Sequence, residues 1–237
     1  DQMEYNATTD ALLVSYQNGQ LDIIDAEGDI HNVPDLYLKQ MSYAKVVNHI
    51  YMHKQKAYLS MTFGIIVLDM QKREIQDTYF LGGEGMAVNV KSTTILGDSI
   101  YALSSNSLYV ASMQSNLMDY ASWQASPLPK GTDAKDLCVY DDNLYMVRDS
   151  SLWVNSDSKW QVCKTSFFVE GICPTDNELF ILPKDMTGVS LLGTDSLMWQ
   201  ELNSFIFDVE QDGNGYWIAT STMGMYSTLL GRPFYPE

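Results

Sequence analysis

Residues 56–69 read KAYLSMTFGIIVLD, two runs of apolar, aromatic and β-branched residues with a short reversal between them. Such runs suit strands, and a reversal this tight makes the pair a hairpin. The same unit recurs as ALLVSYQNGQLDIID (11–25), SIYALSSNSLYVAS (99–112), NLYMVRDSSLWVN (143–155), ELFILPKDMTGVSLL (178–192) and GYWIATSTMGMYS (215–227). A large residue holds one position in every copy: Leu13, Tyr58, Tyr101, Tyr145, Phe180 and Trp217, spaced 45, 43, 44, 35 and 37 residues apart.

A period near 40, with no sustained 3.6-residue apolar pattern, is that of a four-stranded β-propeller blade and not of a helical repeat. The expected fold is therefore all-β, with six blades visible and helix scarce. The ring closes either with these six or with a seventh in sequence outside the chain. Turn residues between the runs agree: Gln17-Asn18-Gly19-Gln20, Gly97-Asp98, Asp141-Asp142-Asn143, Asp176-Asn177 and Asp212-Gly213-Asn214-Gly215. Outer fourth strands are expected at Trp123-Gln124, Trp160-Gln161, Trp199-Gln200 and Asp77-Thr78-Tyr79-Phe80. The aromatics, including Trp217, are expected as core between blades.

The chain has 237 residues, 46% of them hydrophobic, enough for one sizeable core, so residues 1–237 are expected as a single propeller domain. Against 14 Lys and Arg stand 30 Asp and Glu, a formal charge of −16. That balance repels nucleic-acid phosphates and anionic membrane surfaces. No apolar run approaches the roughly 20 residues of a membrane helix, and Asp1 opens a polar stretch with no signal-peptide core. The sequence reads as a mature segment or one excised from a larger multidomain protein.

Candidate chemistry is thin. Cys138, Cys163 and Cys173 have no C-x-x-C spacing and read as buried apolar side chains; a Cys163 to Cys173 bridge stays open. His49 and His53 are four apart on a strand and turn, which does not bring them together as on a helix, and His31 stands alone without a nearby acidic partner. Asp208, Glu210, Asp212 and Asn214 alternate before Gly215, but the closing bidentate Glu of a calcium loop is missing. Gly82-Gly83-Glu84-Gly85 reads as a flexible connector with no helix behind it to hold phosphate. No catalytic, cofactor-binding or metal-binding residue is expected.

The stretch from Leu12 to Gly82 resembles the N-terminal propeller of the PorZ family, through ALLVSYQNGQLDIID, then NVPDL, then VVNHIYMHKQKAYLSMTFGIIVLDMQKREIQDTYFLG. Propellers of that kind usually carry a further blade ahead of the YQNGQLDIID unit. The resemblance implies a non-catalytic, cell-surface component of the type IX secretion attachment complex of Bacteroidetes, on the outer side of the outer membrane. It works with a sortase that joins cargo to anionic lipopolysaccharide. The implied partner is a protein, the sortase or another surface subunit, with lipopolysaccharide met through other domains. Asp212-Gly213-Asn214-Gly215-Tyr216-Trp217-Ile218-Ala219-Thr220 is also similar to the repeat of sensor propellers in hybrid two-component regulators. That alternative implies a periplasmic domain binding an oligosaccharide. Asp98-Ser99-Ile100 and Asp195-Ser196-Leu197 are similar to an envelope O-glycosylation pattern, but ordinary turn chemistry is the better reason for both. A basic group of Lys54, Lys56, Lys72 and Arg73 is small beside the total charge.

Overall fold

All six hairpins form where the repeat places them, as the second and third strands of six four-stranded antiparallel blades. The computed structural model describes residues 2–156, 159–213, 215–229 and 232–234. Blade 1 is β1 (Gln2–Asn6), β2 (Ala11–Ser15), β3 (Leu21–Ile24) and β4 (Ile30–Val33). Blade 2 is β5 (Val47–His53), β6 (Lys56–Met61), β7 (Gly64–Asp69) and β8 (Glu74–Tyr79). Blade 3 is β9 (Ser92–Leu96), β10 (Ser99–Leu103), β11 (Ser107–Ser112) and β12 (Gln124–Pro127). Blade 4 is β13 (Ala134–Tyr140), β14 (Asn143–Arg148), β15 (Ser151–Ser156) and β16 (Lys159–Val162). Blade 5 is β17 (Val169–Pro174), β18 (Leu179–Pro183), β19 (Val189–Leu191) and β20 (Leu197–Met198). Blade 6 is β21 (Ile206–Asp212), β22 (Gly215–Thr220), β23 (Gly224–Ser227) and β24 (Arg232–Phe234).

Helix is confined, among the described residues, to α1 (Asp35–Leu38) and three short 3-10 turns at Gly83–Gly85, Tyr120–Ser122 and Gln200–Leu202. The expected outer strands appear with small offsets. Trp160-Gln161 lies inside β16 and Asp77-Thr78-Tyr79 inside β8, Trp123 immediately precedes β12, and Trp199-Gln200 follows β20. Turn chemistry explains the hairpins. Asp141 and Asp142 both take positive φ, 47° and 55°, as a two-residue reversal with right-handed strand twist requires. Gly64 opens β7 at φ 153°, where a Cβ would sit 2.1 Å from the Tyr79 carbonyl oxygen, so only glycine lets β7 and β8 approach there.

The chain divides into two compact units, residues 1–137 and 138–237. In the first, Leu13 and Ile23 of blade 1 pack on Ala57, Leu59, Met61 and Leu68 of blade 2, with Leu36 of α1 plugging the same layer. Alternation turns the other face of blade 2 forward, so Tyr58, Ile65, Val67 and Tyr79 meet Ile100 and Ala102 of blade 3. Polar pins fix these layers: Asn6 Nδ2 donates to the Lys54 carbonyl at 2.8 Å, and Asn48 Nδ2 to the Val90 carbonyl at 2.6 Å. The buried hydroxyls of Ser60 and Thr93 share a bond of 2.8 Å. In the second unit, Tyr145, Val147 and Leu152 meet Val169, Leu179 and Ile181, and Phe180, Leu182 and Val189 meet Ile206, Val209 and Ile218.

The repeated large residue is buried at Leu13, Tyr58, Tyr145 and Phe180. At Tyr101 and Trp217 it is only half-buried, which corrects the expectation for Trp217. In these strands the neighbours of the large residue, Ile100 and Ala102 in β10 and Ile218 in β22, point back to the preceding blade and supply the buried contact.

Candidate functional site

Blade 1 passes to blade 2 through residues 34–46, and this connector roofs a sizeable cleft. Asp35 and Leu36 of α1, then Lys39, Met41 and Tyr43, stand over Phe63, Ile66, Ile75, Thr78 and Phe80, enclosing about 450 Å³. The floor is rigid because Phe63 is fully buried, stacked with Tyr43 at 5.5 Å between centroids and tilted against Phe80 at 6.0 Å. Lys45 steadies the connector by donating to the Tyr37 carbonyl at 2.5 Å while its ammonium lies 5.9 Å from that ring's centre. Along the connector Tyr37, Leu38, Tyr43 and Val46 remain exposed. A concave apolar floor with a few polar groups at the edge is the usual form of a binding pocket.

Three blades share a second device. The inner strands β5, β17 and β21 each begin with a β-bulge, the extra residue being Asn48, Glu170 and Phe207 respectively. The residue ahead of each strand, Val46, Phe168 or Phe205, is exposed. The expectation that aromatics are inter-blade core fails at Phe168, Phe205 and Phe207, because Val169 and Ile206 take the buried positions at these strand starts.

The three histidines scatter in space, and one departs from its expected setting. His31 is not alone: its Nε2 lies 2.6 Å from Asp25 Oδ2, across the turn joining β3 and β4, and Arg73 of blade 2 reaches the same oxygen at 3.5 Å. That hydrogen bond from His31, above all, holds the Asp25 carboxyl below the usual range, with the Asp29 amide and Arg73 adding to it. The pairing depends on strand register, which spacing alone does not show. His49 and His53 lie at the third and last positions of β5. Burial pushes His49 down to about 4, its Nδ1 buried without a partner, and His53 is lowered by partial burial and then by Lys54.

Of the calcium-like alternation, Asn214 lies outside the described residues, as does the side chain of Asp212. Asp208 instead accepts from the Cys173 thiol at 3.3 Å and from the Val209 amide at 2.9 Å. Desolvation of its carboxyl, then the Asp208 charge, holds Glu210 above the usual carboxylate range. Among the described residues no group of three His, Cys, Asp or Glu side chains is arranged to hold a metal ion. All three cysteines are thiols; Cys138 and Cys173 are buried and burial raises Cys163, so the Cys163 to Cys173 bridge does not form.

Gly82-Gly83-Glu84-Gly85 forms a tight 3-10 turn in which a Cβ on Gly82 would stand 2.6 Å from the Met86 carbonyl oxygen, a structural reason for glycine there. Asp98 sits in the exposed turn between β9 and β10, and Asp195 accepts weakly from the Ser166 amide at 3.3 Å. The basic group is partly neutralised: Arg73 goes to Asp25, and Lys72 lies 4.0 Å from Glu74.

Residues 1–124, which hold blades 1 and 2, the cleft and most of blade 3, match the model of the family described as TSS9, PorZ, N-terminal beta-propeller domain. The chain belongs to this family. No curated protein sequence matches it. Among solved structures it is similar to PorZ of Porphyromonas gingivalis, described as an essential bacterial surface component of the type IX secretion system, with a TM-score of 0.76 and 21% identity. The match takes in 95% of this chain but only 30% of that one, so the chain spans less than a third of PorZ. It is also similar to the extracellular domain of BT4673 from B. thetaiotaomicron, described as a one-component system: TM-score 0.66, 12% identity, 100% of this chain and 34% of the other. YCF48 from Cyanidioschyzon merolae matches at a TM-score of 0.66 and 10% identity, over 95% of this chain and 80% of that one. At these identities the three structures speak for the propeller fold.

Proposed function

We propose that this PorZ-family propeller is a non-catalytic docking domain on the extracytoplasmic side of a bacterial envelope, one domain of a longer protein of the type IX secretion apparatus. Its partner is a protein, the sortase or a neighbouring surface subunit, and anionic lipopolysaccharide is met by other parts of the assembly. The observation that carries this reading is the family match over residues 1–124, the stretch that also builds the cleft under α1. The charge of −16 supports the choice of protein over polyanion, since like charge repels the glycan at long range. In the cleft, an apolar anchor of the partner would sit on the partly exposed Phe80 and Ile75, a site of the kind that dominates interface energy.

The test is binding by the isolated chain at low salt without divalent cations. Purified sortase or a neighbouring subunit should bind, the anionic glycan should not, and Thr78→Trp, which fills the cleft, should weaken the protein complex. Tight glycan binding under those conditions would overturn the reading. Saturable binding of a neutral oligosaccharide, with no protein partner, would favour a periplasmic sensor domain instead.

A further inference from the structure

The second unit carries an apolar surface that the family match does not reach. Phe168, Phe205 and Phe207 are 68%, 44% and 64% exposed. Phe168 and Phe205 hold equivalent positions, each just ahead of a bulged inner strand, and those strands, β17 and β21, contact each other. Burying such rings in water-free contact is favourable, so leaving three of them in solvent at one strand mouth is costly unless something covers them.

The backbone beneath them is held firmly. Phe205 N–H donates to Ser221 Oγ at 3.1 Å, and its carbonyl accepts from the Ser221 amide at 2.9 Å. Buried Ser204 ties the same turn through Ser221 Oγ at 3.0 Å and accepts from the Thr222 amide at 3.1 Å. The Phe168 carbonyl accepts from the Lys184 amide at 2.8 Å. The rings are presented on an ordered frame, so a partner would meet little ordering cost in the backbone. Beside them the bulge brings Asp208 out next to Phe207, and Glu210 follows two residues on, roughly 7 Å further at the strand rise. Desolvation and then the Asp208 charge both disfavour the Glu210 carboxylate, and a cation seated beside the two carboxyls would offset both.

The geometry points to a docking site at this mouth for a protein segment that sets an apolar side chain beside a lysine or arginine, the rings taking the first and Asp208 and Glu210 the second. The inference rests on the protein-binding reading above and names a separate surface for it. The whole chain is titrated with a fluorescein-labelled peptide of alternating leucine and arginine, with alternating leucine and glutamate, and oligoarginine, as comparisons. The leucine–arginine peptide should bind most tightly. Phe168→Ser with Phe207→Ser should weaken it about tenfold, the loss typical of removed aromatic anchors, at low and high salt alike. Glu210→Gln should instead flatten the salt dependence. A photo-cross-linking version of the peptide should label residues of β17 or β21, which settles the site even where a variant folds poorly. Equal binding of the leucine–glutamate peptide or of oligoarginine, or labelling elsewhere, overturns the proposal. Loss of sortase binding on filling the cleft while the peptide still binds at the strand mouth separates the two surfaces.

Discussion

Blade 2 and blade 6 are built from the same hairpin and end in different environments. In blade 2 both faces are saturated: β7 is buried at all six residues, and β6 at all but its first. In blade 6 the face toward blade 5 is buried through Ile206, Val209 and Ile218, while Trp217 is half-buried and β23 is largely exposed. The repeat therefore specifies where the chain reverses, and the neighbours decide whether its aromatic is core or surface.

That contrast can be broken first at its strongest point. Phe63→Ala should cost about 3–5 kcal/mol by chemical denaturation, because it empties a fully buried site under the connector. Gly64→Ala should cost about 2–3 kcal/mol, since a Cβ meets the Tyr79 carbonyl and the backbone lies where side chains are strained. Trp217→Ala should fall well short of Phe63→Ala, at about 1–2 kcal/mol, reflecting a ring that is half in water. A loss as large as that of Phe63→Ala would show the Trp217 ring to be buried as completely as Phe63.

The smallest effect is a pH dependence. His49 has its folded pKa lowered to about 4 from an ordinary value near 6.5 by burial, so the unfolded chain binds the proton more readily. Its contribution is fully present above pH 6.5 and is lost as pH falls from there toward 4. In His49→Asn that part of the acid destabilisation should vanish, visible as a shallower fall of Tm between pH 6.5 and 4 than in the parent. Identical slopes would mean that water reaches the ring.

The six hairpins are legible in the sequence because turn residues and apolar runs are local signals, read without knowing what packs on them. The inner strands β5, β17 and β21 are harder: each is bulged, so the period-two pattern breaks at Asn48, Glu170 or Phe207. The exposed phenylalanines escape the reading because an aromatic is the same apolar signal whichever way it points, although Phe205-Ile206-Phe207, with Ile206 alone buried, carries the alternation that would place two rings outside. The pairing of His31 with Asp25 depends on the register of a hairpin, and the cleft on where a short helix folds back over blade 2. Neither is written in spacing. The family resemblance, by contrast, is readable from Leu12 to Gly82, within the residues that match the family.

Each described sheet is made of four strands consecutive in sequence, and none borrows a strand from elsewhere in the chain. Every ladder can therefore close over a short loop, so the entropy of bringing distant segments together is not the first barrier to forming a blade. A blade is also a unit of heredity: duplicating or deleting one stretch of about 40 residues changes the number of sheets without rethreading any of them. An architecture assembled in this way tolerates drift in blade number and in blade surface while the hairpins persist.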